Sequence, residues 1–237
     1  MFLSKLALNS RDRQARRDLA LPYELHRTLW RAFPEPDPGR VLFRVEAVPP
    51  GCPPIVLVQS DLRPRWERLS EVGPHYLLAP PEFKEFAPSF ARGQLLRFRL
   101  RANPTKKVAS LSRAERLAGV RVRDENSKNG RRLALLREEE QVAWLLHKGE
   151  QGGFRIPGEW TADTGGRRVA NFRVEVTPEG WVRCGKDGHS GGRFYAVRFE
   201  GLLEVTDPEK LTGTVADGIG SAKGFGFGLL SLAPTRG

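Results

Sequence analysis

Only two cysteines, Cys52 and Cys184, occur in 237 residues. They stand far apart and without paired ligand spacing, so the chain offers neither a disulfide framework nor a cysteine-built zinc site, as suits a reducing cytosol. Histidine is nearly as scarce, and His26, His75, His147 and His189 are not spaced as a metal pair; no metal and no cofactor is expected. No apolar run approaches a membrane span, and the start, Met1 to Leu8, is too short and too interrupted by Lys5 to be a signal peptide. A cytoplasmic protein without a membrane partner is therefore expected. Acid is also in deficit: 28 Asp and Glu face 39 Lys and Arg, a formal net charge of +11.

That excess, with an isoelectric point near 10.2, is the footprint of a polyanion binder. Thirty of the cations are arginine, whose guanidinium makes forked contacts to phosphate where an ammonium acts as a point charge. A GC-rich genome gives the same arginine bias. Between Asn103 and Arg132 lie nine cations, Lys106, Lys107, Arg131 and Arg132 among them, against three acids. This segment contains Gly and Ser and shows no apolar period, so it reads either as a loop that folds onto a phosphate backbone or as a solvated insertion. Just before it Leu96, Phe98 and Leu100 alternate with Arg97, Arg99 and Arg101, which places three guanidiniums on one face of a strand. RNA or DNA is the expected partner.

Periodicity predicts a strand over 2–8, a helix from Pro22 to about Phe33, strands over 41–48 and 55–60, a short helix at 64–69 and a strand at 75–79. A proline-rich stretch beginning Pro80-Pro81 then reads as a linker over 80–93. Beyond it the order repeats, with a strand at 94–101, a helix at 137–148, strands at 169–177 and 194–205, a helix opened by Asp207-Pro208-Glu209, and a last strand at 225–232. The expected class is α+β, two tandem ferredoxin-like (β-α-β-β-α-β) domains over 1–79 and 94–237.

Glycines crowd into Gly218–Gly228. A dinucleotide site needs a strand before the glycines and a helix after them, and this segment instead follows a helix near the chain's end. It reads as a nest of backbone N–H groups holding RNA phosphate with Ser221 and Lys223, or as close backbone packing between sheets.

The chemistry candidates are Tyr23 and His26, three residues apart on one helix face, with Arg27 beside them. RNA carries its own nucleophile, the 2′-hydroxyl. A cleaving protein need only align that oxygen, move two protons and stabilise extra negative charge. Imidazole, with an ordinary pKa of about 6.5, suits the proton transfer, while a phenol near 10 positions or hydrogen-bonds. A surface or packing pair has the same spacing. A non-catalytic RNA-binding scaffold and a DNA-binding regulator stay open beside a metal-independent nuclease.

Phe2-Leu3-Ser4-Lys5-Leu6, Arg16-Arg17-Asp18-Leu19, Pro22-Tyr23-Glu24-Leu25-His26-Arg27-Thr28-Leu29, Phe98-Arg99-Leu100-Arg101-Ala102-Asn103-Pro104-Thr105-Lys106 and the stretch Gly218 to Leu232 together resemble the CasE family. These are the CRISPR RNA-processing endoribonucleases of the type I-E Cascade complex. The resemblance implies two ferredoxin-like domains, cleavage of a repeat stem-loop at the 3′ side of its hairpin, and a 2′,3′-cyclic phosphate end. It also implies a protein that stays on the mature guide RNA as a Cascade subunit. Tyr23 and His26 match the family's catalytic tyrosine and histidine. Arg131 and Arg132 resemble residues that enter the stem groove, and Arg183 or Lys186 could supply a further catalytic cation.

Overall fold

The computed structural model describes residues 1–33, 39–46, 48–108, 131–162, 165, 168–185 and 191–235. The fold is α+β, with two main antiparallel sheets, each over its own core.

The first sheet holds β1 (Phe2–Ala7), β2 (Val41–Val45), β3 (Ile55–Ser60) and β4 (Glu82–Glu85), in the order β2-β3-β1-β4. Helices α1 (Arg13–Ala20) and α2 (Pro22–Trp30) follow β1. The Asp12 carboxylate caps α1 by accepting from the Ala15 N–H, and Pro22 opens α2, where its missing N–H costs nothing. Leu25 and Leu29 bury one face of α2 on Leu6, Leu8, Phe43, Val56 and Val58. Beneath them the Tyr76 hydroxyl donates to the buried Asp18 carboxylate at 2.8 Å.

The second sheet holds β5 (Leu95–Ala102), β11 (Val174–Gly185), β12 (Gly191–Val205) and β13 (Leu230–Pro234), in the order β11-β12-β5-β13, with β8 (Phe154–Arg155) beside β12. Two smaller two-stranded sheets belong to this half: β6 (Thr105–Val108) with β7 (Arg131–Ala134), and β9 (Gly158–Ala162) with β10 (Arg168–Phe172). Helices α3 (Glu138–Gly152) and α4 (Pro208–Asp217) cover one face, burying Leu145, Leu211 and Val215 against Phe98, Leu100 and Phe199. As its period requires, β5 turns Leu96, Phe98, Leu100 and Ala102 inward.

Several expectations fall to the structure. No strand runs over 75–79; that stretch makes a single bridge, Leu8 to Leu77, and the strand lies at 82–85 inside the expected linker, paired with β1. Helix α1 was not signalled by apolar period, because only Ala15 and Asp18 of its residues are buried. The last strand begins at Leu230, since Lys223–Phe225 winds as a 3-10 turn. Nor is the arginine face of β5 an open cationic surface: Arg99 pairs with Glu46 at 2.7 Å and with Glu200, and Arg101 pairs with Glu179 at 2.6 Å.

That face is where the halves meet. Arg44, 3% exposed, donates to the Leu229 carbonyl at 3.1 Å, the Arg99 carbonyl at 3.3 Å and the Ser231 hydroxyl at 2.9 Å, and pairs with Glu46. Gln59 donates to the Val215 carbonyl at 2.7 Å. A buried guanidinium survives only when its donors are filled and its charge is met. Here acceptors from both halves do so, which fixes β2 and β3 against the end of the second half.

Candidate active site

Because Leu25, Thr28 and Leu29 face the core, helical spacing turns Tyr23, His26 and Trp30 toward the other side. The His26 ring stacks on Phe43 at 6.1 Å between centroids and tilts against Trp30 at 5.1 Å. At its edge lies Gly224, where an added Cβ would stand 3.5 Å from Nε2. Nδ1 is sealed from solvent without a hydrogen-bond partner among the described residues. Burial lowers the pKa of His26 from the ordinary imidazole value, because charging the ring would cost hydration that its aromatic neighbours do not return. The ring is therefore neutral near neutral pH. Tyr23, half-buried, lies 6.3 Å from Phe225. Arg27 is exposed and pairs at 3.4 Å with Glu24, which Arg17 also approaches at 3.9 Å.

The glycine-rich segment closes the site from the second half. Gly218 ends α4 at φ 75°, and a Cβ there would stand 2.7 Å from Leu42 Cδ1 and 2.8 Å from the Gly228 carbonyl. Gly226, at φ 79°, would meet Phe43 at 3.1 Å. Only glycine takes both the backbone angle and the close approach. The packing reading of this segment thus holds at its ends. Its middle faces the other way, into a cleft of about 950 Å³ lined by Lys106, Lys107, Arg132, Lys148, Lys210 and Lys223 with a single acid, Asp217. The Ser221 hydroxyl and the Asn103 side-chain carbonyl are buried there without partners among the described residues. Lys223 sits with its pKa lowered, first by burial and then by the cations Arg40 and Lys148, with Asp217 opposing. Six cations round one cavity, one of them partly desolvated, make a place for an anion.

The structure gathers Tyr23 and His26 on one side of the loop, and Lys106, Lys107, Arg132, Ser221 and Lys223 on the other. Arg101 is not among them: its guanidinium lies over the Phe227 ring at 4.6 Å and pairs with Glu179, bracing the loop from below. Arg183 is exposed on β11, a strand that comes alongside α2. Lys186, residues 109–130 of the basic segment and the Arg131 side chain lie outside the described residues. Sequence reasoning missed Phe43, Trp30 and Phe225. Trp30 sits one helical turn after His26 and could have been found by spacing; Phe43 comes from a strand and had no local signal.

Fold and site together define an α+β protein with a neutral, half-buried histidine beside a cationic cleft. The family model described as CRISPR associated protein matches residues 1–234. The chain is 40% identical over 246 residues to the CRISPR-associated endoribonuclease Cse3 of Thermus thermophilus, covering 99% of this chain and 100% of that protein. It is 35% identical over 240 residues to the Cascade subunit CasE of Escherichia coli K12, again covering 99% and 100%. Its structure superposes with a TM-score of 0.76, at 38% identity and over 98% of each chain, on Thermus thermophilus Cse3 bound to an RNA representing a pre-cleavage complex. The chain belongs to this family of CRISPR-associated proteins, that of Cse3 and CasE. No helix among the described residues is long and apolar enough to cross a membrane.

Proposed function

We propose that this chain is a metal-independent endoribonuclease of the cytoplasm that cleaves the stem-loops of CRISPR repeat transcripts and stays on the mature guide RNA as a Cascade subunit. Family membership, the endoribonuclease name of one relative and the Cascade name of another support the reading. We further infer two tandem ferredoxin-like domains, near residues 1–79 and 94–237, with 80–93 joining them and lending β4 to the first sheet. In support, both sheets run in the order second, third, first and last strand of their unit, when the second unit is counted as β5, β11, β12 and β13.

The observation that carries the chemistry is the neutral His26 ring, held between the catalytic helix and a loop whose far side opens on the cationic cleft. With Nδ1 sealed, Nε2 is the nitrogen left to meet substrate. It takes the proton of the ribose 2′-hydroxyl as that oxygen attacks phosphorus in line. The P–O bond to the 5′ oxygen then breaks, and the leaving oxygen takes up a proton from solvent water while His26 later returns its own to solvent, so the fragments end in a 2′,3′-cyclic phosphate and a 5′-hydroxyl. The Tyr23 hydroxyl hydrogen-bonds the scissile phosphate. Arg27, with Arg183 or Lys186, supplies positive charge to the phosphorane. Lys106, Lys107, Arg131, Arg132, Ser221 and Lys223 hold the stem by its phosphates, while Arg101 acts by supporting the loop.

The test is cleavage of a repeat hairpin in excess chelator by the wild type and by His26→Ala. The wild type cuts; the variant binds the hairpin and leaves it whole. Full cutting by the variant would remove His26 from the mechanism, and an uncut RNA held by the wild type would leave an RNA-binding scaffold.

A further inference from the structure

The distal hairpin of β11 and β12 presents two unlike faces. In register, Val182 opposes Phe194, while Trp181 opposes Tyr195 and Arg183 opposes Arg193. Alternation therefore sends Phe194 to one face, and Trp181, Arg183, Arg193 and Tyr195 to the other. The first face is absorbed by the site already described: the Phe194 ring lies 5.2 Å from Phe225 and 6.2 Å from Phe227. Phe225 in turn touches Tyr23.

Of the second face only Arg183 has a part in that chemistry, as one of two candidate cations for the phosphorane; Trp181, Arg193 and Tyr195 have none. Trp181 is 52% exposed, the most open of the large aromatic side chains among the described residues. Tyr195 meets it edge-on at 5.3 Å, and the Arg193 guanidinium lies 5.6 Å from its ring centroid. Those two contacts fix the indole while leaving half of it open. Arg183 and Arg193 pair with no carboxylate among the described residues. A half-open aromatic ring, held in orientation by an arginine and flanked by a second cation, is the arrangement that stacks one nucleobase and receives the phosphates on either side of it. Bases inside a stem have no free face to offer such a ring, so the ligand it suits is an unpaired nucleotide beside the stem.

We propose that Trp181, oriented by Tyr195 and Arg193, is a stacking platform for one unpaired nucleotide flanking the RNA stem, with Arg183 and Arg193 holding the adjoining phosphates. This rests on the nuclease reading and adds to it a site for the strand outside the duplex. Phe194, on the other face of the same strand pair, reaches Tyr23 through Phe225, so the strands that carry the platform also border the active site, and an RNA seated there passes its unpaired end across their edge. Occupying the platform sets which phosphate stands at His26.

The experiment compares a hairpin trimmed to its stem-loop with the same hairpin carrying five unpaired nucleotides on each side. Both carry a 2′-deoxy ribose at the scissile position, and binding is measured for the wild type, Trp181→Ala and Trp181→Phe. The flanks raise wild-type affinity, and Trp181→Ala removes about tenfold of that gain; Trp181→Phe keeps most of it. Replacing flanking nucleotides one at a time by abasic sites reproduces the loss at a single position. If the flanked-to-trimmed affinity ratio is the same for Trp181→Ala as for the wild type, or if the abasic scan is flat, the platform is overturned while the nuclease reading stands. A wild type that neither binds nor, with ribose restored, cuts either RNA overturns both.

Discussion

The two halves are built on one strand order and equipped differently. The first carries Tyr23 and His26 on α2, tucked against aromatic rings, with the nearby cations Arg17 and Arg27 leaning on Glu24. The second carries the open positive charge, in the cleft beneath β6 and β7 and on the distal hairpin of β11 and β12. Proton transfer needs a group whose protonation is set by its surroundings, and burial supplies that. Grip on a polyanion needs charge that water and salt can reach. One surface serves both poorly, and the proposed mechanism divides the tasks, with the loop at 218–228 leaving the second half to pack on the first.

The sharpest way to break this division is to damage one half and look for loss in the other's property. His26→Ala is expected to lower the single-turnover cleavage rate by about 10²- to 10⁴-fold, while the Kd for the hairpin moves less than about twofold. A comparable loss of affinity would show that α2 grips as well as reacts. Next in size is the joint. Arg44→Ala leaves buried acceptors from both halves unmet and should lower stability by about 3 kcal/mol, read as a fall in the urea midpoint. An unchanged midpoint would mean that the halves do not depend on the contact.

Smaller effects sharpen the picture. Lys106→Ala combined with Arg132→Ala should flatten the dependence of log Kd on log salt by about one to two units, with affinity falling further than the rate at saturating protein. An unaltered slope would return the cleft to solvent. The pH dependence has a definite sign. On the proposed mechanism His26 acts as a base in its neutral form, and its pKa is lowered by burial, so the cleavage rate should climb with pH below the ordinary imidazole value and be level above it. A rate that falls as pH rises through that region would make His26 the acid. The same lowering makes the unfolded chain bind more protons than the folded one between the two pKa values. Stability therefore drops as pH falls through that window, and His26→Phe should blunt the drop.

Much of the site was legible because its signals are local. Tyr23 and His26 share a helical face by spacing alone, and the glycines announced a backbone that side chains could not follow. What the sequence hid was the covering of each face. Period two on β5 correctly sorted Arg97, Arg99 and Arg101 from Leu96, Phe98 and Leu100, yet nothing local told that Glu46, from the other half, would reach Arg99. Strand β4 was hidden for a related reason. All four of its residues are exposed, so the edge strand has no buried set to create a pattern, and Pro80-Pro81 before it imitates a linker. Helix α1 is mostly polar outside, and its one clear sign was the capping Asp12. Phe43 reaches His26 from a different element, a contact that only the fold could reveal.

The central claim, that a neutral imidazole at position 26 activates the substrate's own ribose oxygen, is tested most directly by one substitution in the RNA. A repeat hairpin with a single 2′-deoxy ribose at the scissile position should bind as tightly as the unmodified RNA in excess chelator and remain intact. Cleavage of that deoxy RNA at the same phosphate would contradict the account.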